Sequence, residues 1–310
     1  MQVGKATALA SGPPLRYARS DMPARLETIL IPGAFVLIWA TGFVVARLVA
    51  PYTEPLIFLT VRFILAAAIL ASLALLAGAP WPKGRRGWRD ALIAGVLLHG
   101  IYLGGVFWAI GHGLPAGISA LIAGAQPLLV ALLARPLLGE IVSLRRWVGV
   151  AIGFVGITLV LGPKIGGDGG YPAATLVVSL LSLAGMTAGT LWQKRTGTKF
   201  DLRSGTALQY VGAAVVVGLG SLATEEMRIE PAPPLLFGMA WSIFALSIGA
   251  IALLLIMLRR GAAVGVSSLL FLVPPVSALM SYALFGETLS GIQLLGMLLA
   301  AFGVALAARA

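Results

Sequence analysis

The sequence predicts an all-α integral membrane protein whose ten transmembrane helices form an inverted five-plus-five repeat. Three observations predict it. The chain of 310 residues is 59% hydrophobic, has a mean hydropathy of +0.99 and carries only 11% charged residues; a soluble chain carries about twice that charged fraction. Its apolar residues fall into ten runs. Two stretches, "LLGEIVSLRRWVG" at 137–149 and "LFGETLSGIQLLG" at 284–296, write nearly the same pattern 147 positions apart.

The runs are 30–49, 55–77, 91–111, 115–138, 147–162, 173–192, 204–223, 235–258, 262–285 and 290–308. Each is close to the roughly 17–25 residues that cross a ~30 Å hydrocarbon layer as a helix. The polar, proline-containing residues 1–28 lack the apolar stretch of a cleavable signal and read as a cytoplasmic tail. The junctions "GHGLPAG" (runs 3 and 4) and "RRGAA" (runs 8 and 9) are short, so those pairs are helical hairpins.

The net charge of +11 would suggest nucleic acid in a soluble chain. Here 17 of the 22 basic residues fall in the tail, after run 10, or in the junctions that follow even-numbered runs, all on one face of a ten-span protein. The opposite face keeps Arg47, Lys164 and Arg228, while Arg62 and Arg135 fall inside spans. The charge is therefore a topology signal that puts both termini in the cytoplasm, and no nucleic-acid partner is implied.

A constant shift of 147 aligns residues 116–163 with 263–310 without gaps. It pairs Pro127 with Pro274, Gly139 with Gly286, Glu140 with Glu287, Gly149 with Gly296 and Gly156 with Gly303. It also lays Gly42 on Gly189 and Arg47 on Lys194, so the repeat spans two halves, 29–163 and 164–310. Five helices per half is an odd number, so the second half enters the membrane upside down. Secondary transporters use this construction, rocking two related halves about a central site.

These features resemble the EamA-type drug/metabolite transporters. The resemblance rests on five plus five helices, "WATGF" from Trp39 to Phe43, Pro55 with Arg62, and Pro127 and Pro274, each followed twelve residues later by Gly-Glu. It covers about residues 29–308 and is nearest to the YddG-type exporters of aromatic and other amino acids. It implies an exporter of small metabolites in a bacterial inner membrane.

The available chemistry narrows the options. With no cysteine there is no disulfide, thiolate nucleophile or Cys-ligated metal. All eleven carboxylates lie in loops or near helix ends, and none sits mid-span where a proton relay or sodium site needs one. That favours a facilitator driven by the substrate gradient. Asp-x-x-Asp, His-Glu-x-x-His and Gly-x-Ser-x-Gly patterns are missing, which disfavours an intramembrane enzyme.

The candidate substrate-binding residues are Trp39, His99, Tyr102, Gln126, Trp241 and Ser267. His99 and Tyr102 are three apart and should share a helix face; His99 either lines a cavity or bonds a neighbouring backbone carbonyl. Gln126 either lines the cavity or satisfies the carbonyl freed by Pro127. Ser267 and Ser268 either donate to a substrate carboxylate or bond back to their own helix. Trp39 and Trp241 offer flat apolar walls. Gating or hinge candidates are Pro127, Pro274 and Pro275 as kinks, Glu140 and Glu287 at the two faces, and Arg62, for which snorkelling to the outer surface is the plainer reading. The rows Gly149-x-x-x-Gly153 and Gly296-x-x-x-Ala300 pack helices closely, within the chain or across a dimer seam.

The expectation is a carrier that exports amino acids, including aromatic ones, or similar amphiphilic metabolites by alternating access. It needs no cofactor or metal and sits in the bilayer as a monomer or weak homodimer. Nucleobases, sugar phosphates or drugs are the alternative cargo.

Overall fold

The computed structural model describes residues 24–138, 143–161, 170–196, 201–250, 252–253, 257 and 270–308. Glu140, Ser267, Ser268 and the junction of runs 8 and 9 lie outside the described residues, as does the tail up to residue 23.

The described residues form ten helices, numbered here in chain order. They are α1 (Ala24–Val49), α2 (Pro55–Leu76), α3 (Gly84–Gly111), α4 (Ala116–Gly124 and Gln126–Leu138) and α5 (Leu144–Leu161) in the first half. The second half holds α6 (Ala173–Thr196), α7 (Leu202–Thr224), α8 (Pro233–Gly249), α9 (Val273–Phe285) and α10 (Gly291–Ala308). Five of them, α1 (over Leu30–Val49), α2, α3, α6 and α7, are long and apolar enough to cross a membrane by themselves; the other five are shorter apolar helices. The tight junction after α3 is present: Gly113 takes φ +99, which only glycine adopts without strain, and turns the chain into α4.

The helices meet in a regular way. α2 packs on α7, α4 on α9 and α5 on α10, and each pair consists of helices that the 147-residue shift equates. Other contacts come in matched sets: α1 with α9 and α6 with α4, α3 with α7 and α8 with α2, α3 with α6 and α8 with α1. One buried cluster, with Phe35, Phe58, Phe63 and Phe107, joins α1, α2, α3 and α7. A second, with Ile118, Leu128, Val160 and Val304, joins α4, α5 and α10.

The glycine rows explain the α5–α10 contact. A Cβ placed on Gly149, Gly156, Gly296 or Gly303 would run into the backbone of the facing helix. Small residues let two backbones approach this closely where the hydrophobic effect gives no drive. The rows are therefore used inside the chain and are not free to form a dimer seam.

The prolines act differently from the expected kinks. α4 breaks at Ala125, so Pro127 lies in the first turn of a new helical piece. α9 likewise starts after a 3₁₀ turn, Leu270–Leu272, with proline in its first turn. Proline fits there because its missing N–H is one that a helix start leaves unbonded anyway. The two starts, Gln126 and Val273, are 147 residues apart.

Candidate substrate-binding site

Between the halves lies a small cavity lined by Trp39 and Phe43 of α1, Tyr102 of α3, Gln126 of α4, Met186 of α6 and Val273 of α9. Both halves contribute, and the break in α4 and the start of α9 sit at its wall. Its volume is about 30 Å³, the share of a single water. A metabolite needs about 300 Å³ or more, so this conformation is closed around its centre.

The polar groups of the wall are few. The Gln126 amide Nε2 donates to the Thr190 hydroxyl at 3.0 Å, and Thr190 donates to the Met186 carbonyl at 2.9 Å. Gln126 thus reaches across to α6. Trp39 leans on Phe35 with ring centres 5.3 Å apart. Trp241 is not in the cavity wall. It stacks on Phe237, and its Nε1 donates to the Thr41 hydroxyl at 2.8 Å, tying α8 to α1.

The structure parts His99 from Tyr102. Residues Val96–Ile101 of α3 form a π-helical segment, whose i→i+5 bonding widens the turn and rotates everything that follows. Tyr102 faces the cavity. His99 faces α7 and α2 instead: its Nε2 lies 3.2 Å from the Gln209 Oε1, and its ring is 4.8 Å from Tyr210 and 6.1 Å from Phe63.

Arg62 belongs to that second cluster. It does not snorkel, since only 4% of it is exposed. Its Nη2 donates to the Ser247 hydroxyl of α8 at 3.3 Å, and beside it the Phe63 ring stacks on Tyr210 of α7 with ring centres 5.3 Å apart. Gln209, Tyr210 and Ser247 were not among the sequence candidates. Their only sequence signal is that they are polar residues inside apolar runs.

A third polar site lies at the end where α1 and α9 finish and α4 starts. Gly286 adopts φ +67 and ends α9, as a left-handed cap does. The chain then turns back and points Glu287 at the start of α4. One carboxylate oxygen of Glu287 accepts from the Ala116 N–H at 3.1 Å, and the other lies 3.4 Å from the Arg47 Nε. A carboxylate is stabilised at a helix N-terminus by the free N–H groups and the helix dipole. Burial holds the Glu287 carboxyl above its ordinary value, against the pull of Ala116, Arg47 and Gly117. Nearby, the Glu225 carboxylate accepts from the Leu56 and Ile57 N–H groups at 2.7 and 2.8 Å and so caps α2 from the end of α7. The sequence offered Glu287 as a gating candidate and Arg47 only as a charge at the same face, and it did not point to Glu225.

The sequence profile of the EamA-like transporter family matches this chain twice, over residues 29–162 and 173–309. The chain belongs to the EamA-like transporter family. It is a multi-pass membrane transporter. Several known proteins are similar to it along most of their length. The inner membrane transporter YedA of Escherichia coli K12 is 30% identical over 276 residues, 88% of each chain. Protein PecM of Dickeya dadantii is 29% identical over 266 residues, 84% of this chain and 85% of PecM. The transporter YvbV of Bacillus subtilis is 24% identical over 282 residues, 89% of each chain. A solved crystal structure at 20% identity superposes with a TM-score of 0.61 over 91% of this chain and 96% of the other, a likeness of fold alone.

Proposed function

We propose that this EamA-family protein exports small metabolites, chiefly amino acids including aromatic ones, across a bacterial inner membrane. All ten helices span the membrane as an inverted repeat, with both termini in the cytoplasm, and the two halves rock to give alternating access. The observation that carries this reading is the cavity itself. It lies between two halves whose contacts pair up under one sequence shift, and its wall combines the aromatic faces of Trp39 and Tyr102 with the amide of Gln126. Flat apolar walls and a few neutral polar groups suit an amphiphilic solute held weakly and broadly. Among the described residues no carboxylate lines the cavity, which supports a facilitator driven by its substrate gradient.

The Arg47–Glu287–Ala116 latch then closes the outer face, and Glu287 is its gating residue. The same shift that equates Glu287 with Glu140 and Arg47 with Lys194 puts the same charges at the opposite face. The test is a panel of radiolabelled amino acids, nucleobases and sugar phosphates offered to liposomes holding the purified protein. Amino acids should move downhill with no imposed ion gradient. Uptake of another class alone would replace the cargo, and a strict need for a pH or sodium gradient would end the facilitator reading.

A further inference from the structure

Arg62 is a buried cation that the fold leaves short of partners. A guanidinium offers five N–H donors in a rigid fork. Here one of them meets a neutral hydroxyl at 3.3 Å, the guanidinium carbon lies 5.8 Å from the centre of the Phe63 ring, and the Nε, sealed from solvent, has no hydrogen-bond partner. No described carboxylate lies within ion-pair distance of it. Leaving such a charge in a membrane-embedded interior is costly, and proteins that keep one use it.

The surroundings show a built site. Ser247 lies on the π segment Ser242–Gly249 of α8, and the Ser242 hydroxyl of that segment is also buried without a partner. His99 and its bond to Gln209 belong to the π segment Val96–Ile101 of α3. The shift of 147 lays 96–101 on 243–248, so the two π segments occupy equivalent places in the two halves. Such segments are rare and concentrate at functional sites because they free or re-aim backbone and side chains. The Arg62–Ser247 bond also joins the two halves, between residues 185 apart in sequence.

We propose that Arg62 is a binding residue for the carboxylate of the transported solute, with Ser247, Tyr210 and the His99–Gln209 pair completing the subsite. This rests on the carrier reading above and adds the ligand's chemistry. When α8 parts from α2, the carboxylate takes the place of Ser247 on the fork and gains the two parallel charge-assisted bonds that a guanidinium gives best. Apolar parts of the solute then extend toward Trp39 and Tyr102.

The test uses full-length protein in liposomes, with phenylalanine and phenylalaninamide as paired probes. The parent should move phenylalanine at least about tenfold faster than the amide, as expected for one charge-assisted pair. Arg62→Gln should bring phenylalanine down to the rate of the amide while changing the amide by less than about twofold. Arg62→Lys should keep part of the preference, because a point charge replaces a fork. Equal losses for both probes, or no loss for either, would overturn the proposal and leave the carrier reading standing. A second measurement does not need transport: thermal unfolding of the detergent-purified protein with 3-phenylpropionate or 3-phenylpropanamide. The carboxylate should stabilise the parent and not Arg62→Gln, and Arg62→Gln alone should unfold no earlier than the parent, since a lone buried charge has been removed. No stabilisation by the carboxylate, or early unfolding of the variant, counts against the subsite. Failure of both flux probes together with stabilisation by the carboxylate would support the subsite and refute amino-acid export instead.

Discussion

The latch at Glu287 can be opened by one atom change. Glu287→Gln keeps the shape and removes the charge. Two contacts weaken. The Arg47 side chain is 43% exposed against 16% for Glu287, so the pair is screened and contributes only about 0.5 kcal/mol. The bond from the Ala116 N–H at 3.1 Å is charge-assisted, and its replacement by a neutral acceptor loses about 1 kcal/mol. On the proposed gating role, the closed state of this end loses about 1–2 kcal/mol relative to the open one, a factor of about 5–30 in their ratio. The chain has no cysteine, so a single engineered thiol reports access cleanly. Ala123 lines the cavity and is buried. In sealed right-side-out vesicles, Ala123→Cys should react with an impermeant thiol reagent about 5–30 times faster once Glu287→Gln is added. Arg47→Ala should give a smaller rise, about twofold. Unchanged reactivity at position 123, with an outer control thiol reacting normally, would show that the carboxylate only caps α4 and does not hold the face shut.

Other expectations follow from the same structure. In intact cells Ala173→Cys, at the exposed start of α6, should label from outside, and Arg85→Cys only after permeabilisation; outside labelling at 85 would invert the orientation. Gly303→Val drives a side chain into the backbone of Gly149 and Gly153 and should cost more than the ~1–3 kcal/mol of ordinary overpacking, so size-exclusion of the solubilised variant should show little folded protein, whereas Gly291→Ala meets no atom within 4 Å and should elute like the parent. Burial raises the Glu287 carboxyl from 4.5, so the folded chain holds that proton more tightly than the unfolded one. Its stabilising contribution is present below 4.5 and is lost as pH rises through the raised value. Thermal unfolding should show that downward component in the parent, with Arg47 and Tyr171 as the facing groups, and lack it in Glu287→Gln.

What the sequence made legible, and what it hid, divides along a physical line. Hydropathy and a constant shift report properties that repeat. They yielded helices in the right places, the glycine rows that turn out to join α5 to α10, and the equivalence of Pro127 and Pro274. They also placed Trp39, Tyr102 and Gln126 among the site candidates, and these three share one cavity wall. A local change of helical register leaves no trace in hydropathy, because the residues on either side of it stay apolar. The π segment at Val96–Ile101 is such a change, and it sent His99 to a different neighbourhood from Tyr102. Partners brought by other helices are equally silent: Ser247 meets Arg62 from α8, and Gln209 meets His99 from α7. Each is one polar residue in an apolar run, and no spacing ties it to its partner. The latch lies between these cases. The shift equated Glu140 with Glu287 and Arg47 with Lys194, so both charges of each pair stood in the alignment. That Arg47 and Glu287 meet required knowing that α1 packs on α9, which the repeat did not state. The internal duplication therefore identifies which charges are equivalent, and only the packing of α1 against α9 shows that opposite charges from the two halves meet.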